Sequence, residues 1–196
     1  MATRAALLDA ALETLVERGY AATTTIEVAR RAGVSRGAQL HHFPSKAALL
    51  TAAVGHLLDR RLAEYREGFA RLDPSADSLD AGIDLLWSMY QGPSFVAWVE
   101  LWVAARTDAD LRAAVTDMET RFLAESQAIF AEIIDPGTDP NEGFALIGRA
   151  FAFALMDGLA LSGLVGHPGF LPPGMLIDAL KGVARLAAPS PTEEHA

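Results

Sequence analysis

Two helix start and stop signals, placed close together, constrain the first fifty residues of this chain more than any other feature. Thr24, followed three residues later by Glu27, forms a capping box that starts a helix, and Gly33 is suited to end it. Ser35 is a preferred N-cap for the next helix, and Pro44 stops that helix. Two short helices joined by so tight a turn are typical of a helix-turn-helix, whose second helix enters a groove of DNA.

The rest of the chain is patterned as helix. Apolar residues recur at steps of three and four up to Gly19, and a long helix is predicted from Lys46 to about Arg71. No run alternates with a period of two for long enough to make a strand. We therefore predict an all-α fold, with an N-terminal three-helix DNA-binding domain over 1–50, a larger helical domain over 51–188 and a disordered tail over 189–196. After a break at 73–77, the further helices are predicted near 78–91, 94–106, 108–134, 142–165 and 174–187.

The charge is unevenly distributed along the chain. The net charge is −9, but residues 1–50 hold six basic and four acidic side chains, or +2, and the remaining ten basic and twenty-one acidic side chains give −11. A basic end on an acidic body suits a protein that binds DNA with one part only. Cysteine is absent, which excludes disulfides and thiolate zinc sites. Met1 leads into Arg4 without an apolar signal region, so we expect a cytoplasmic protein.

The segment 144–166 is apolar enough to suggest a membrane span. Arg149 and Asp157 interrupt it, and both charges are costly in lipid. A helix of a soluble protein, buried on most sides as at a subunit interface, is the better interpretation. Ala150, Ala154 and Gly158 would allow a second helix to approach closely, or would pack against the chain's own core. We expect no membrane association.

Several residues of the helix-turn-helix have side chains suited to DNA. Arg36 has the forked donor geometry that pairs with guanine, and Gly37 permits close approach to the groove. Thr25 and Ser35 cap helices and can also contact phosphate. Lys46 lies in the first turn of its helix, where its charge opposes the helix dipole, so a phosphate partner is expected.

Three further polar residues follow Gly37 on the same helix. Gln39 is expected to face DNA, where it can pair with adenine, although a half-buried position against the first helix is the alternative. His41 and His42 are expected to hydrogen-bond at the groove edge, with packing as the alternative for His42. Adjacent side chains point about 100° apart on a helix, so this pair does not favour a shared metal ion. No metal or cofactor site is predicted.

An ordered series of short motifs runs from the start of the second helix into the fourth. Its members are Thr24-Thr25, Val28-Ala29, Ala32-Gly33-Val34-Ser35, His42-Phe43, Ser45-Lys46 and Leu49-Leu50. This series resembles the TetR family of transcriptional regulators. Where that family has Leu-Tyr, this chain has Gln39-Leu40, so the usual tyrosine hydroxyl contact to phosphate is missing. The resemblance implies a homodimer through 142–165 and 174–187 and a small-molecule effector, and repression is the family default.

By the same resemblance, the larger domain holds an apolar or aromatic effector whose binding releases a palindromic operator. Helix-spaced aromatic residues are more often plain core, and that interpretation stays open. An enzyme is disfavoured, because the chain has no nucleophile elbow, Walker loop or zinc-protease motif. A helical protein that binds DNA or a partner without any ligand is the alternative. The candidate effector-binding residues are Trp87, Tyr90, Trp98, Trp102 and Met156.

Overall fold

The protein is described here by a computed structural model covering residues 2–72, 78–133, 143–166 and 171–187. Within these ranges the regular structure consists of nine helices, and the prediction of an all-α fold is confirmed. The predicted tail over 189–196 and the predicted break at 73–77 lie outside the described residues. The helices are α1 Ala2–Ala22, α2 Thr25–Arg31, α3 Arg36–His42, α4 Lys46–Ala70, α5 Ser78–Tyr90, α6 Pro93–Ala105, α7 Ala109–Ile133, α8 Gly143–Leu164 and α9 Pro173–Ala187.

The helix-turn-helix begins and ends at the residues that the capping signals indicate. The Thr24 hydroxyl accepts the Glu27 N–H at 3.2 Å, and the Ser35 hydroxyl accepts the Ala38 N–H at 3.2 Å. Each bond satisfies one of the backbone donors left unpaired at a helix start. Gly33, between the two helices, has a φ of 65°, a conformation open to glycine at little cost. The predicted turn is therefore confirmed in position and in mechanism.

The chain divides into two compact units that do not follow chain order. Unit 1 comprises 1–66 and 92–126, and unit 2 comprises 67–91 and 127–196. In unit 1, α1 packs against both α2 and α6; in unit 2, α5, α8 and α9 pack against one another. The helix-turn-helix thus shares a core with α6, which follows it by about fifty residues. The functional domain boundary at residue 50 stays a prediction, and it falls within α4.

The core of unit 1 combines leucines with one buried cation. Leu7, Leu57 and Leu101 are fully buried and bring α1, α4 and α6 together. Arg61 is 6 % exposed, and its guanidinium lies 4.4 Å from the Phe122 ring centroid. Burial of apolar surface stabilises such a core by about 25 cal/mol per Å². The aromatic face supplies part of the attraction that the buried guanidinium has lost from water.

Two ion pairs tie α5 to α9 in unit 2. Asp84 binds the Lys181 ammonium group at 2.6 Å, and Asp80 pairs with Arg185. The hydrogen bond to Asp84 raises the pKa of Lys181. Both acidic residues lie on α5, and both basic partners lie on α9, so the two pairs hold these helices together.

Helix α8 is apolar and exposed along one side. Its stretch Ile147–Leu164 has a mean hydropathy of 1.4, long and apolar enough to cross a membrane, and 11 % of that stretch is buried. In the single chain one side of α8 is therefore uncovered, and the expected burial at a subunit interface stays a prediction. Exposed residues at alternate steps of four and three, the last of them directly after the helix, form what we call the α8 stripe: Ile147, Phe151, Ala154, Gly158, Leu161 and Val165.

Candidate DNA-binding surface and effector-binding residues

Helix α3, the recognition helix of the predicted helix-turn-helix, presents one exposed side. Arg36, Gly37, Leu40 and His41 are all exposed. At 3.6 residues per turn these four positions share about 140° of the helix surface. Ala38 and His42 are partly buried on the opposite side. The exposed side is the surface that α3 offers to a DNA groove.

Gln39 is buried, and the prediction that it faces DNA is wrong. Its side chain is 0 % exposed, and its Nε2 donates to the Phe43 carbonyl oxygen at 2.6 Å. The Gln39 Oε1 is also buried and has no hydrogen-bond partner among the described residues. The position lies on the inner side of α3, where the helix packs on the rest of the domain. The amide of Gln39 could pair with adenine, but the packing of α3 places it inside the protein, away from DNA.

We expect Gln39→Leu to stabilise the protein. A buried acceptor without a partner costs about 1–3 kcal/mol, whereas the single hydrogen bond lost contributes about 1 kcal/mol. The net gain in the free energy of unfolding should be about 1 kcal/mol, measured by urea unfolding at a fixed protein concentration. Gln39→Glu serves as the control, because it buries a charge at the same position and should lower stability. A destabilised Gln39→Leu would show that the amide is better satisfied than the geometry indicates.

The arginines of the helix-turn-helix differ in their partners. Glu27 binds Arg30 through both carboxylate oxygens, at 2.9 and 2.7 Å. Arg31 binds Glu17, and this hydrogen bond lowers the pKa of the Glu17 carboxyl. Arg36, in contrast, is exposed and has no ion pair among the residues that the structure describes. The guanidinium groups of Arg30 and Arg31 are thus held by carboxylates of the protein, and Arg36 keeps its donors for another partner.

Lys46 has a partner inside the protein. Its Nζ donates to the Tyr20 carbonyl oxygen at 2.7 Å and lies 4.1 Å from the centroid of the Tyr20 ring. Burial lowers the pKa of this lysine. The sequence predicted that Lys46 has a partner, because its charge is unfavourable in the first turn of a helix. The Tyr20 carbonyl oxygen is such a partner. A phosphate contact by Lys46 stays a prediction.

The other candidate residues sit at helix ends. Thr25, partly buried, is the first residue of α2, and the expectation that it caps this helix is wrong, because Thr24 occupies the N-cap position. Ser35 is exposed and caps α3, as predicted. His41 is exposed and His42 is partly buried, with their ring centroids 5.5 Å apart in an edge-to-face arrangement. The His42 side chain is therefore partly packed against the protein, as the alternative interpretation of this residue predicted.

One basic residue near this surface was not singled out from the sequence. Arg4, exposed on α1, places its guanidinium 5.5 Å from the centroid of the Phe43 ring, just after the end of α3. The first turn of α1 therefore reaches the recognition helix. Arg4 precedes Phe43 by thirty-nine positions and gave no local signal, because only folding brings the two residues close.

The junction between α1 and α2 is held by a residue of α6. Gly19 has φ 75° and ψ 173°, which interrupts the helical geometry of α1, as its predicted role as a helix end implies. The next residue, Tyr20, donates its backbone N–H to the Glu100 carboxylate at 2.6 Å. A Cβ on Gly19 would lie 3.2 Å from that same carboxylate. Glu100 thus fixes the position from which the helix-turn-helix begins.

We expect Gly19→Ala to destabilise unit 1. The backbone conformation at this residue is open almost only to glycine and costs other residues about 1–3 kcal/mol. The added methyl group would also press on Glu100 and weaken its bond to Tyr20. Thermal unfolding followed by circular dichroism should show a lower midpoint. Gly55→Ala, at an exposed helical glycine with open space around it, is the control and should raise stability by about 0.5–1 kcal/mol.

The candidate effector-binding residues fall into two groups. Trp98 and Trp102 lie on α6 in unit 1 and stack with ring centroids 5.8 Å apart, and Phe95 continues the stack at 5.6 Å from Trp98. Trp102 is exposed, and on α7 burial raises the pKa of the Glu119 carboxyl. In unit 2, Trp87 is partly buried, whereas Tyr90 and Met156 are buried. Their role in binding an effector stays a prediction.

Unit 1 also contains a cavity of about 250 Å³ between α1, α4 and α6. No candidate effector-binding residue lines it. Its wall is apolar in part, with Glu13, Glu17 and Arg60 contributing charged groups. The lining residues are Leu12, Glu13, Val16, Glu17, Leu57, Arg60, Pro93, Ser94 and Ala97.

A capped helix-turn-helix with an exposed arginine, in a chain whose described secondary structure is helical, is the architecture of a DNA-binding protein. Two family models match the chain: "Bacterial regulatory proteins, tetR family" over residues 7–53, and "BetI-type transcriptional repressor, C-terminal" over residues 90–188. The chain belongs to the TetR family of bacterial regulatory proteins. Its relatives are transcriptional regulators and not enzymes.

Individual relatives agree with this assignment. The HTH-type transcriptional regulator BetI of Burkholderia lata is 34 % identical over 171 residues, which cover 84 % of each chain. The HTH-type transcriptional regulator CymR of Pseudomonas putida is 37 % identical over 127 residues, which cover 64 % of this chain and 63 % of that protein. A crystal structure of a transcriptional regulator from Rhodococcus sp. has a TM-score of 0.65 at 26 % identity, covering 94 % of this chain and 95 % of that one.

Proposed function

We propose that this protein is a homodimeric, ligand-responsive repressor that acts in the cytoplasm and binds a twofold-symmetric DNA site. The observation that carries this proposal is the exposed side of α3, where Arg36 is solvent-accessible and has no carboxylate partner among the described residues. A guanidinium placed in this way pairs with guanine in the major groove. We propose phosphate contacts for Thr25, Ser35 and Lys46, close approach at Gly37, and groove-edge contacts for His41 and His42.

The α8 stripe supports dimerisation. Its members are exposed in the single chain, and Phe151, near the middle of the helix, is 55 % exposed. Monomeric proteins rarely leave so continuous an apolar patch in water. Helix α9, which packs on α8, adds exposed apolar side chains from the same unit. We propose that α8 and α9 pair with those of a second copy; the α9 residues are Met175, Ala179, Val183 and Leu186.

A symmetric dimer requires a symmetric DNA site. Two recognition helices related by a twofold axis read half-sites about one helical turn apart, roughly 34–36 Å, or a multiple of it. An effector that binds more tightly to a dimer whose recognition helices are spaced differently would release the DNA. The ratio of its affinities for the two dimer arrangements sets how far the equilibrium shifts.

Helix α6 gives a physical link from effector-binding residues to the DNA-binding helices. Trp98 and Trp102 flank Glu100 on this helix, and Glu100 accepts the Tyr20 N–H at the end of α1. A small shift of α6 would therefore move or break the bond that positions the helix-turn-helix. We propose an apolar or aromatic effector, because the stacked indole rings offer flat apolar surface for it.

The effector proposal is tested by a compound screen with two readouts. Small aromatic compounds are added to the protein on a fluorescently labelled copy of its selected DNA site, and tryptophan fluorescence is recorded in parallel. The chain has three tryptophans, so single Trp-to-Phe variants assign the quenching to Trp87, Trp98 or Trp102. We expect a compound that quenches one of them and releases the DNA. Quenching without release, for every compound that binds, would favour a ligand-independent regulator.

A further inference from the structure

Two neighbouring residues of the recognition helix are placed contrary to their polarity. Gln39 is 0 % exposed, with its Oε1 unpaired among the described residues, whereas Leu40 is 44 % exposed. Stability alone favours the apolar residue inside and the amide outside. Rules of local stability are most often broken at functional positions. The exposed leucine is therefore the feature that needs an explanation.

The place of Leu40 on α3 suggests what it contacts. It lies one turn after Arg36 and, at 3.6 residues per turn, between Arg36 and Gly37 on the helix surface. A helix whose Arg36 reaches a base edge carries Leu40 towards the same groove, because Gly37 has no side chain to hold the helix away. Leu40 lacks the hydroxyl group through which the family's tyrosine contacts phosphate, so it has only apolar surface to offer there. Apart from its donors and acceptors, the major groove offers one apolar group, the C5-methyl of thymine.

We propose that Leu40 determines specificity by packing on a thymine methyl group in each half-site. The proposal rests on the proposed binding of a symmetric DNA site and adds the base that this residue reads. The contact needs no hydrogen bond and removes both the leucine side chain and the methyl group from water. Burial of one methyl group contributes about three- to fivefold in affinity.

The test removes the thymine methyl group from the DNA and, separately, shortens the Leu40 side chain of the protein. A DNA site is first selected from a randomised pool, and each thymine of both half-sites is then exchanged in turn for deoxyuridine, which lacks only the methyl group. For the natural protein we expect one position at which the symmetric exchange weakens binding about ten- to twentyfold, the product of two such contacts. For Leu40→Ala we expect thymine and deoxyuridine at that position to bind equally.

Leu40→Met is the matched control, since it keeps an apolar side chain of similar volume and should keep the preference for thymine. Insensitivity of the natural protein to every exchange would overturn the inference, and so would an undiminished preference for thymine in Leu40→Ala. In both cases a selected site still supports the proposed function. Failure to select any site would overturn the proposed function itself, and the inference with it.

Discussion

Arg36→Ala should weaken binding to a selected DNA site by about thirtyfold to more than about 10⁴-fold. One bidentate arginine–guanine contact contributes about 1–3 kcal/mol of discrimination, and a dimer makes two of them. The variant should also lose preference at the guanine position while keeping weak, salt-dependent binding to any DNA. Fluorescence anisotropy, with selected and scrambled duplexes across a series of salt concentrations, measures both effects.

Arg121→Ala is the control for this variant. Arg121 is exposed on α7, so its replacement removes the same charge from another part of unit 1. We expect little change in sequence preference. An Arg36→Ala protein that still selects the same site would contradict the assigned role of Arg36.

Gly158→Glu should convert the protein to a monomer with its helical content intact. Gly158 lies within the α8 stripe, and an added Cβ would meet nothing within 4 Å in the single chain. The monomer should tolerate the substitution, since glycine is about 1 kcal/mol worse than alanine inside a helix. In a close helix–helix interface the same change buries an unpaired carboxylate in each subunit, at a cost of about 3–5 kcal/mol each. Sedimentation equilibrium measures the loss of the dimer, and circular dichroism shows whether the helical content is retained.

Gly55→Glu is the matched control, because Gly55 is also an exposed helical glycine with open space around it, but on α4. It should leave the oligomeric state unchanged. A dimeric Gly158→Glu protein would show that the α8 stripe is not the interface. In that case membrane association of α8 becomes the next hypothesis, tested by flotation with lipid vesicles.

The helices were predictable because their ends are marked by local chemistry. Thr24 and Ser35 cap helices through bonds to residues three positions away, and Gly33 takes a backbone conformation that its lack of a side chain permits. Such short-range signals need no knowledge of the tertiary structure. The exposure of Arg36 at the start of α3 follows from the same local pattern.

Contacts between distant parts of the chain were not predictable. Gln39 looks like a base-reading residue until the packing side of α3 is known, and the partner of Lys46 lies twenty-six residues away on Tyr20. The bond from Glu100 to Tyr20 joins residues eighty positions apart. In the sequence Glu100 lies between Trp98 and Trp102, and nothing in that local setting indicates Tyr20 as its partner. Its contact depends on α6 packing along α1, which no pattern in the sequence indicates.

The central claim is that a dimer of this chain reads a symmetric DNA site through α3. Selection from a randomised DNA pool, carried out side by side with the natural protein, Arg36→Ala and Gly158→Glu, tests it most directly. We predict an inverted repeat for the natural protein, with half-site centres about 10 base pairs or a multiple of that apart. We predict that Arg36→Ala selects no guanine at the position that Arg36 reads and that Gly158→Glu selects no repeat. Selection of an unpaired single site by the natural protein would contradict the account. Selection of the same repeat by all three proteins would contradict it as well.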